Sequence, residues 1–183
     1  MYFGVRQASN FNLPNFLTCL RIVFVPVFAW LALAHSVTWW PFICFIALMI
    51  TDKLDGDIAR AKNLITDFGK IADPIADKAL MITALVVLNI SFSLPVWITV
   101  VIVVRELGIT FWRMIVLRQG RVVPASKGGK IKTALQSVAV ALYLFPPNLW
   151  ILPLIVMLVA VVITVVTGVQ YILDFRKVNS GVA

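Results

Sequence analysis

Three long stretches of this chain, 22–51, 79–104 and 133–173, contain no Asp, Glu, Lys or Arg. Each stretch has polar or proline-containing residues near its middle, which is typical of a turn between two helices. A helix needs about 20 residues to cross a ~30 Å hydrocarbon core, so each stretch predicts one helical hairpin. The predicted helices cover residues 14–34, 40–61, 67–90, 94–118, 127–146 and 149–175.

The charged residues outside these stretches predict the orientation. Lys and Arg concentrate in cytoplasmic segments of membrane proteins, so both termini and both charged connections are expected on the cytoplasmic side. Four tryptophans lie beside the uncharged turns, where interfacial aromatic residues are common: Trp39, Trp40, Trp97 and Trp150. Before residue 14, either a short helix on the membrane surface or a frayed end is expected.

The composition also indicates an integral membrane protein. Hydrophobic residues make up 61% of the chain and charged residues 13%, whereas soluble domains carry about 25% charged residues. The mean hydropathy is +0.98. With no linker or repeat to divide the chain, the predicted fold is all-α: a polytopic, six-helix membrane domain over residues 1–183. No nucleic-acid partner is expected.

The shortest uncharged stretch places charged residues inside the membrane. Its 26 residues must supply parts of two helices and a turn, which leaves about ten residues, or ~15 Å, for each helix. Asp77, Lys78, Arg105 and Glu106 are therefore expected near mid-depth, within the cytoplasmic half of the bilayer, and the same counting places Asp52 inside the membrane. Charges at that depth usually face a protein interior or a water-filled cavity, so the sequence predicts a polar cavity open to the cytoplasm.

Six of the eight acidic residues lie in the segment 51–78. Asp52 and Asp55 are three apart on one predicted helix, and Asp73 and Asp77 are four apart on the next, so each pair shares a helix face. Facing carboxylates repel one another unless cations are bound between them. Oxygen ligands favour Mg²⁺, Mn²⁺ or Ca²⁺, and four carboxylates suffice for two ions, as in phosphoryl-transfer sites.

The same segment resembles the signature of the CDP-alcohol phosphatidyltransferase family. The matching positions are Asp52, Asp55, Gly56, Ala59, Arg60, Gly69, Asp73 and Asp77. The resemblance implies a six-helix membrane fold and transfer of a phosphatidyl group from a CDP-linked lipid to an alcohol, with release of CMP. It implies metal binding by the four aspartates, general-base catalysis by Asp77 and CDP-lipid binding by the other four residues. The implied cofactor is Mg²⁺ or Mn²⁺, two ions per site.

A basic segment, 105–132, contains seven cationic residues and one acid, Glu106. Cations within predicted spans suit an acceptor that carries a phosphate group. The candidates for binding that phosphate are Arg113, Lys130 and Lys132, followed by Arg105. A choline or ethanolamine acceptor would instead need an anionic or aromatic site.

Three further segments resemble bacterial phosphatidylglycerophosphate synthases: NLPNFLTCLRIVFVPVF at 12–28, VRE at 104–106 and GKIKTALQ at 129–136. The resemblance implies CDP-diacylglycerol as donor, glycerol 3-phosphate as acceptor and CDP-lipid contacts from Asn15 and Thr18. It also implies a homodimer in the bacterial plasma membrane.

Three alternatives stay open at this point. A phosphatidylinositol phosphate synthase of the same family would also take a phosphorylated acceptor. A cardiolipin synthase would take phosphatidylglycerol, which gives the basic segment less to bind. Outside the enzymes, a divalent-cation transporter would use the carboxylates to pass metal ions across the bilayer without releasing CMP.

Overall fold

The computed structural model describes residues 13–36, 38–61, 67–118, 127–146, 149 and 151–179, of which 13, 14, 55, 59, 60, 67–74, 113–118, 127, 172 and 174–179 are described by backbone alone. These residues form six α-helices: α1 Leu13–Ala34, α2 Trp39–Ala61, α3 Asp67–Ser91, α4 Val96–Arg118, α5 Lys127–Leu144 and α6 Leu152–Asn179. The predicted all-α class is confirmed, and each helix begins and ends within a few residues of its predicted bounds. The surface helix expected before residue 14 lies outside the described residues.

The chain divides into two compact units, one ending at Val87 and the other beginning at Leu88. In the first unit, α1 packs against α2. Phe28 of α1 and Phe45 of α2 are fully buried, with ring centroids 5.8 Å apart. The buried residues of α1 recur every three or four positions: Asn15, Thr18, Arg21, Val25, Phe28 and Ala32. This buried stripe is therefore polar in the first half of α1 and apolar in the second.

In the second unit, α6 packs against both α5 and α4. The buried stripe of α5 again changes character along its length, from Lys132 and Gln136 to Val140 and Leu144. Gln136 Nε2 donates a hydrogen bond to Thr164 Oγ1 of α6 at 3.0 Å, and both side chains are buried. The second unit thus combines an apolar core with a buried polar layer that includes Lys132, Gln136 and Thr164.

In two of the uncharged turns, the described residues include a side-chain hydrogen bond to a backbone carbonyl. In the turn from α1 to α2, Thr38 Oγ1 donates to the carbonyl of His35 at 2.8 Å. In the turn from α3 to α4, Asn89 Nδ2 donates to the carbonyl of Leu94 at 2.8 Å, and Ser93 adopts a left-handed φ of 55°. Trp97, just beyond this turn, is exposed, as expected of an interfacial residue.

Two helices among the described residues are long and apolar enough to cross a bilayer, over Asn15–Ala34 in α1 and Leu152–Tyr171 in α6. Both also expose large apolar side chains: Phe16, Val23 and Trp30 on α1, and Val162 and Val169 on α6. Soluble proteins rarely expose apolar surface to this extent, so these helices indicate an integral membrane protein. The other helices combine apolar stretches with ionisable residues, and the six-span topology and cytoplasmic cavity stay predictions.

Candidate active site

The polar half of α1 carries a buried cation that pairs with one of the predicted metal ligands. Arg21 Nη1 lies 2.7 Å from Asp52 Oδ1 of α2, and the two side chains are 0% and 32% exposed. Asp52 therefore supplies the buried guanidinium with a carboxylate partner, while part of the Asp52 side chain stays accessible. Sequence reasoning did not assign Arg21 to the site.

The neighbouring polar residues of α1 are also buried. Asn15, about two helical turns before Arg21, is 5% exposed, and Thr18, about one turn before Arg21, is fully buried. Buried polar side chains of this kind are usually hydrogen-bonded. Asn15 and Thr18 therefore belong to the polar stripe that contains Arg21, and their proposed contacts with a CDP-lipid stay a prediction.

The other predicted metal ligands are only partly described. Asp77 on α3 is half-buried, whereas Asp55 on α2 and Asp73 on α3 are described by their backbone alone. Among the described side chains, no group of three or more Asp, Glu, His or Cys residues lies close enough to hold one metal ion. The helical register of each pair is as predicted, and the meeting of all four carboxylates stays a prediction.

The remaining signature residues lie on the same two helices. Gly56 is half-buried in α2, and Asp57, which follows it, is exposed. Ala59, Arg60 and Gly69 are helical but described by backbone alone. Asp57 is therefore not on the helix face that Asp52 and Asp55 share, and it is not assigned to the metal site.

The basic side chains of the second unit centre on one carboxylate. Glu106 Oε1 accepts a hydrogen bond from Lys132 Nζ of α5 and lies 3.2 Å from Arg105 Nη1. Arg105 Nη2 in turn donates to Thr167 Oγ1 of α6 at 3.2 Å. We name Arg105, Glu106, Lys132 and Thr167 the α4–α6 polar cluster; it connects three helices within the apolar second unit.

A close helix contact supports this cluster from the side of α6. A Cβ atom added to Gly128 of α5 would lie 2.7 Å from Thr167 Cγ2, which is closer than non-bonded carbon atoms approach each other. The absence of a side chain at Gly128 therefore lets the start of α5 approach α6. The Thr167 hydroxyl donates to the carbonyl of Ile163 at 2.7 Å, which leaves its oxygen oriented to accept from Arg105.

The structure separates the four predicted phosphate-binding residues. Lys132 is 2% exposed and Arg105 is half-buried, whereas Lys130 is exposed; two residues along a helix turn the side chain by roughly 200°. Arg113 is described by backbone alone. The cluster therefore contains Arg105 and Lys132. It also contains Glu106, which sequence reasoning passed over although a lone acid within a basic membrane segment is itself a signal.

A groove of about 860 Å³ runs between α4 and α6 beside Arg105. Its lining is almost entirely apolar and includes Val104, Gly108, Trp112 and Tyr171. A Cβ atom at Gly108 would meet nothing within 4 Å, so this glycine leaves the groove open. Such a lining suits a lipid acyl chain and not a hydrophilic headgroup.

Comparison with known proteins places these features in a family. The family model described as CDP-alcohol phosphatidyltransferase matches residues 11–166. The chain is 45% identical over 177 residues to a probable phosphatidylglycerophosphate synthase of Mycobacterium tuberculosis (strain H37Rv), covering 91% of this chain and 82% of that protein.

Two relatives carry the name CDP-diacylglycerol–glycerol-3-phosphate 3-phosphatidyltransferase. The protein from Bacillus subtilis (strain 168) is 39% identical over 187 residues, covering 88% of this chain and 93% of the relative. The protein from Escherichia coli (strain K12) is 36% identical over 173 residues, covering 89% of this chain and 94% of the relative. The similarity thus extends over nearly the whole chain and over proteins of similar length.

Proposed function

The chain belongs to the CDP-alcohol phosphatidyltransferase family, and on this premise we propose that it transfers the phosphatidyl group of CDP-diacylglycerol to glycerol 3-phosphate. The products are phosphatidylglycerophosphate and CMP. The observation that carries the proposal is the similarity of nearly the whole chain to bacterial proteins named for this reaction. The enzyme class follows from the family; the acceptor follows from the names of the relatives.

The carboxylates on α2 and α3 are proposed to hold two divalent cations, Mg²⁺ or Mn²⁺. Asp52, Asp55, Asp73 and Asp77 offer only oxygen donors, which hard cations prefer. Asp52 supports this assignment because its side chain stays 32% exposed beside Arg21 and so remains accessible to a cation. When bound, such cations neutralise the charge of the diphosphate.

The chain's own residues then position the reactants. We assign Asn15, Thr18, Gly56, Ala59, Arg60 and Gly69 to the CDP-lipid. Asp77 takes the proton from the acceptor hydroxyl, whose oxygen attacks the lipid-side phosphorus while the bond from that phosphorus to the CMP oxygen breaks. Phosphoryl transfer depends mainly on alignment and charge stabilisation, so a single carboxylate base is sufficient.

The basic residues are proposed to bind the phosphate of the acceptor. Arg105 and Lys132 support this assignment because they meet at one carboxylate in an otherwise apolar part of the second unit. Lys130 is exposed at the start of α5, and Arg113 lies on α4 about two turns after Arg105. Both are proposed as secondary contacts of the acceptor phosphate. Cations that are held in place bind phosphate with less loss of side-chain freedom than flexible surface lysines.

The proposed setting is the bacterial plasma membrane. All six helices of residues 1–183 are proposed to cross it as one domain, with both termini and the active site at the cytoplasmic face. This orientation follows from the Lys and Arg of the connecting segments, and the polar first half of α1 agrees with a cavity on that side. The enzyme is proposed to act as a homodimer.

An acceptor panel tests the proposal. Purified protein in mixed micelles with CDP-diacylglycerol and Mg²⁺ is given glycerol 3-phosphate, inositol 1-phosphate, phosphatidylglycerol or glycerol, and CMP release and the lipid product are measured. Of these four acceptors, we expect only glycerol 3-phosphate to give CMP and phosphatidylglycerophosphate. Consumption of inositol 1-phosphate without that of glycerol 3-phosphate would refute the acceptor, and metal flux in proteoliposomes without CMP release would point to the transporter.

A further inference from the structure

One carboxylate oxygen serves two cations in the α4–α6 polar cluster. Glu106 Oε1 contacts both Arg105 Nη1 and Lys132 Nζ. The Lys132 side chain is 2% exposed and that of Arg105 is 16% exposed, so both cations are largely shielded from bulk water. Among the described side chains, these three carry a net charge of +1 within an apolar part of the second unit, where binding of an anion is favoured.

A second observation indicates that the cluster lacks an acceptor. Arg105 Nε is buried and has no hydrogen-bond partner among the residues that the structure describes. Arg105 already uses Nη1 toward Glu106 and Nη2 toward Thr167. A guanidinium in protein interiors normally has its donors satisfied, and an anion with several oxygens would satisfy both the charge and this donor.

We propose that Glu106 is a positioning residue that takes, in the ligand-free protein, the place of the acceptor's phosphate group. This inference rests on the proposed function, which supplies a phosphorylated acceptor. Glu106 keeps Lys132 and Arg105 close together until the phosphate arrives; its carboxylate then turns away and the phosphate becomes the partner of both cations. No covalent bond is made or broken in this exchange; only hydrogen bonds and ion pairs change partner.

The geometry allows such an exchange. The Glu106 side chain is 21% exposed, so its carboxylate can reach solvent more easily than the ammonium of Lys132 can. Arg105 stays anchored after Glu106 leaves, because its Nη2 still donates a hydrogen bond to Thr167 Oγ1. Gly128 and Thr167 hold α5 against α6, so Lys132 keeps its position along the helix while its partner changes.

The exchange also gives a reason for selecting phosphorylated acceptors. An alcohol without a phosphate cannot replace a carboxylate as partner of two buried cations, so Glu106 stays in place and excludes it. A phosphate group offers more negative charge and more acceptor oxygens than one carboxylate. Glu106 therefore acts as an internal competitor that only an anion displaces.

The substitution Glu106→Gln tests this competition. The amide keeps the shape of the side chain but removes the negative charge, so inorganic phosphate and glycerol 3-phosphate no longer compete with an internal anion. We expect the dissociation constant of both probes, measured by isothermal titration calorimetry in micelles, to fall about tenfold. The ligand-free variant should also unfold at a lower temperature and gain more from saturating phosphate than the wild type does. Unchanged or weaker phosphate binding would overturn the proposal.

Two further variants keep the test decisive. Asp57→Asn makes the same change of charge at an exposed position of α2 and is expected to leave the phosphate affinity unchanged. Glu106→Gln combined with Lys132→Met removes the carboxylate together with the more deeply buried of its two cations, leaves only the partly exposed Arg105 without a carboxylate, and should lose phosphate binding. Wild-type phosphate affinity in this double variant would overturn the proposal even if Glu106→Gln alone does not fold.

The acceptor panel separates this inference from the proposed function. If the wild type does not use glycerol 3-phosphate but Glu106→Gln binds phosphate more tightly, the role of Glu106 stands and the acceptor assignment fails. If the wild type makes phosphatidylglycerophosphate but phosphate binding does not tighten in Glu106→Gln, the acceptor assignment stands and the role of Glu106 fails.

Discussion

The two polar clusters of this protein differ in how many cations share a carboxylate. Between α1 and α2, one buried cation, Arg21, pairs with one carboxylate, Asp52. Among α4, α5 and α6, one carboxylate, Glu106, meets two cations. The proposed metal site would add Asp55, Asp73 and Asp77 to this pair and so call for cations, whereas the second cluster has more cations than carboxylates and calls for an anion.

This difference suggests a division of labour. The donor brings a diphosphate that needs metal ions, and the proposed acceptor brings a phosphate that needs Arg or Lys. An enzyme that binds two anionic substrates must keep each from occupying the other's site. Opposite excess charges, each partly offset by one internal partner, achieve this selectivity.

The largest effect is expected at the acidic cluster. Asp77→Asn removes the proposed base but keeps the size of the side chain, and kcat should fall about 10²- to 10⁴-fold. CDP-diacylglycerol binding, measured by calorimetry with Mg²⁺ present, should be retained. Loss of donor binding with the loss of turnover would mean that Asp77 acts mainly as a metal ligand.

The two clusters should differ in their dependence on metal ions. Excess EDTA is expected to abolish CMP release, and added Mg²⁺ or Mn²⁺ should restore it. Phosphate binding to the α4–α6 polar cluster should persist in EDTA, because its cations are side chains. Full activity in excess EDTA would refute the metal assignment, and loss of phosphate binding would refute the separation.

Arg21→Met should reduce stability substantially. It leaves Asp52 without its cation, and breaking a buried ion pair lowers the free energy of unfolding by about 3 kcal/mol or more. Thermal unfolding in micelles measures the effect. The double variant Arg21→Met, Asp52→Asn should recover part of the stability and stay inactive. An unchanged unfolding temperature in Arg21→Met would show that the pair contributes nothing to the fold.

The smallest effect is expected where α5 meets α6. Gly128→Ala places a methyl group against Thr167 and should lower the free energy of unfolding by about 1 kcal/mol. Thr167→Ser removes the opposing methyl group but keeps the hydroxyl that accepts from Arg105, so it should rescue Gly128→Ala. A fully stable Gly128→Ala protein would show that this approach is not tight.

The helices could be predicted from the sequence because their signals are local. Three uncharged stretches with polar centres give six helices, and the structure confirms their existence and approximate bounds. The aspartate pattern and the family could likewise be read from spacing within one short segment. None of this required knowing which helix faces meet.

The partners of Arg21, Glu106 and Lys132 depend on such faces and could not be predicted. In a membrane protein the lipid-facing and core-facing residues of a helix are both apolar, so the sequence does not show how α1 or α5 is rotated. Lys130 and Lys132 appeared equivalent for this reason, whereas the structure exposes the first and buries the second.

The measurement that tests the division of labour most directly is the kinetics of Lys132→Met with both substrates varied. The account predicts that KM for glycerol 3-phosphate rises about tenfold or more, as expected for a lost charge-assisted contact. KM for CDP-diacylglycerol should stay within about twofold, and the matched variant Lys130→Met should change the acceptor KM much less. Equal increases in both KM values, or an increase for the donor alone, would contradict the account.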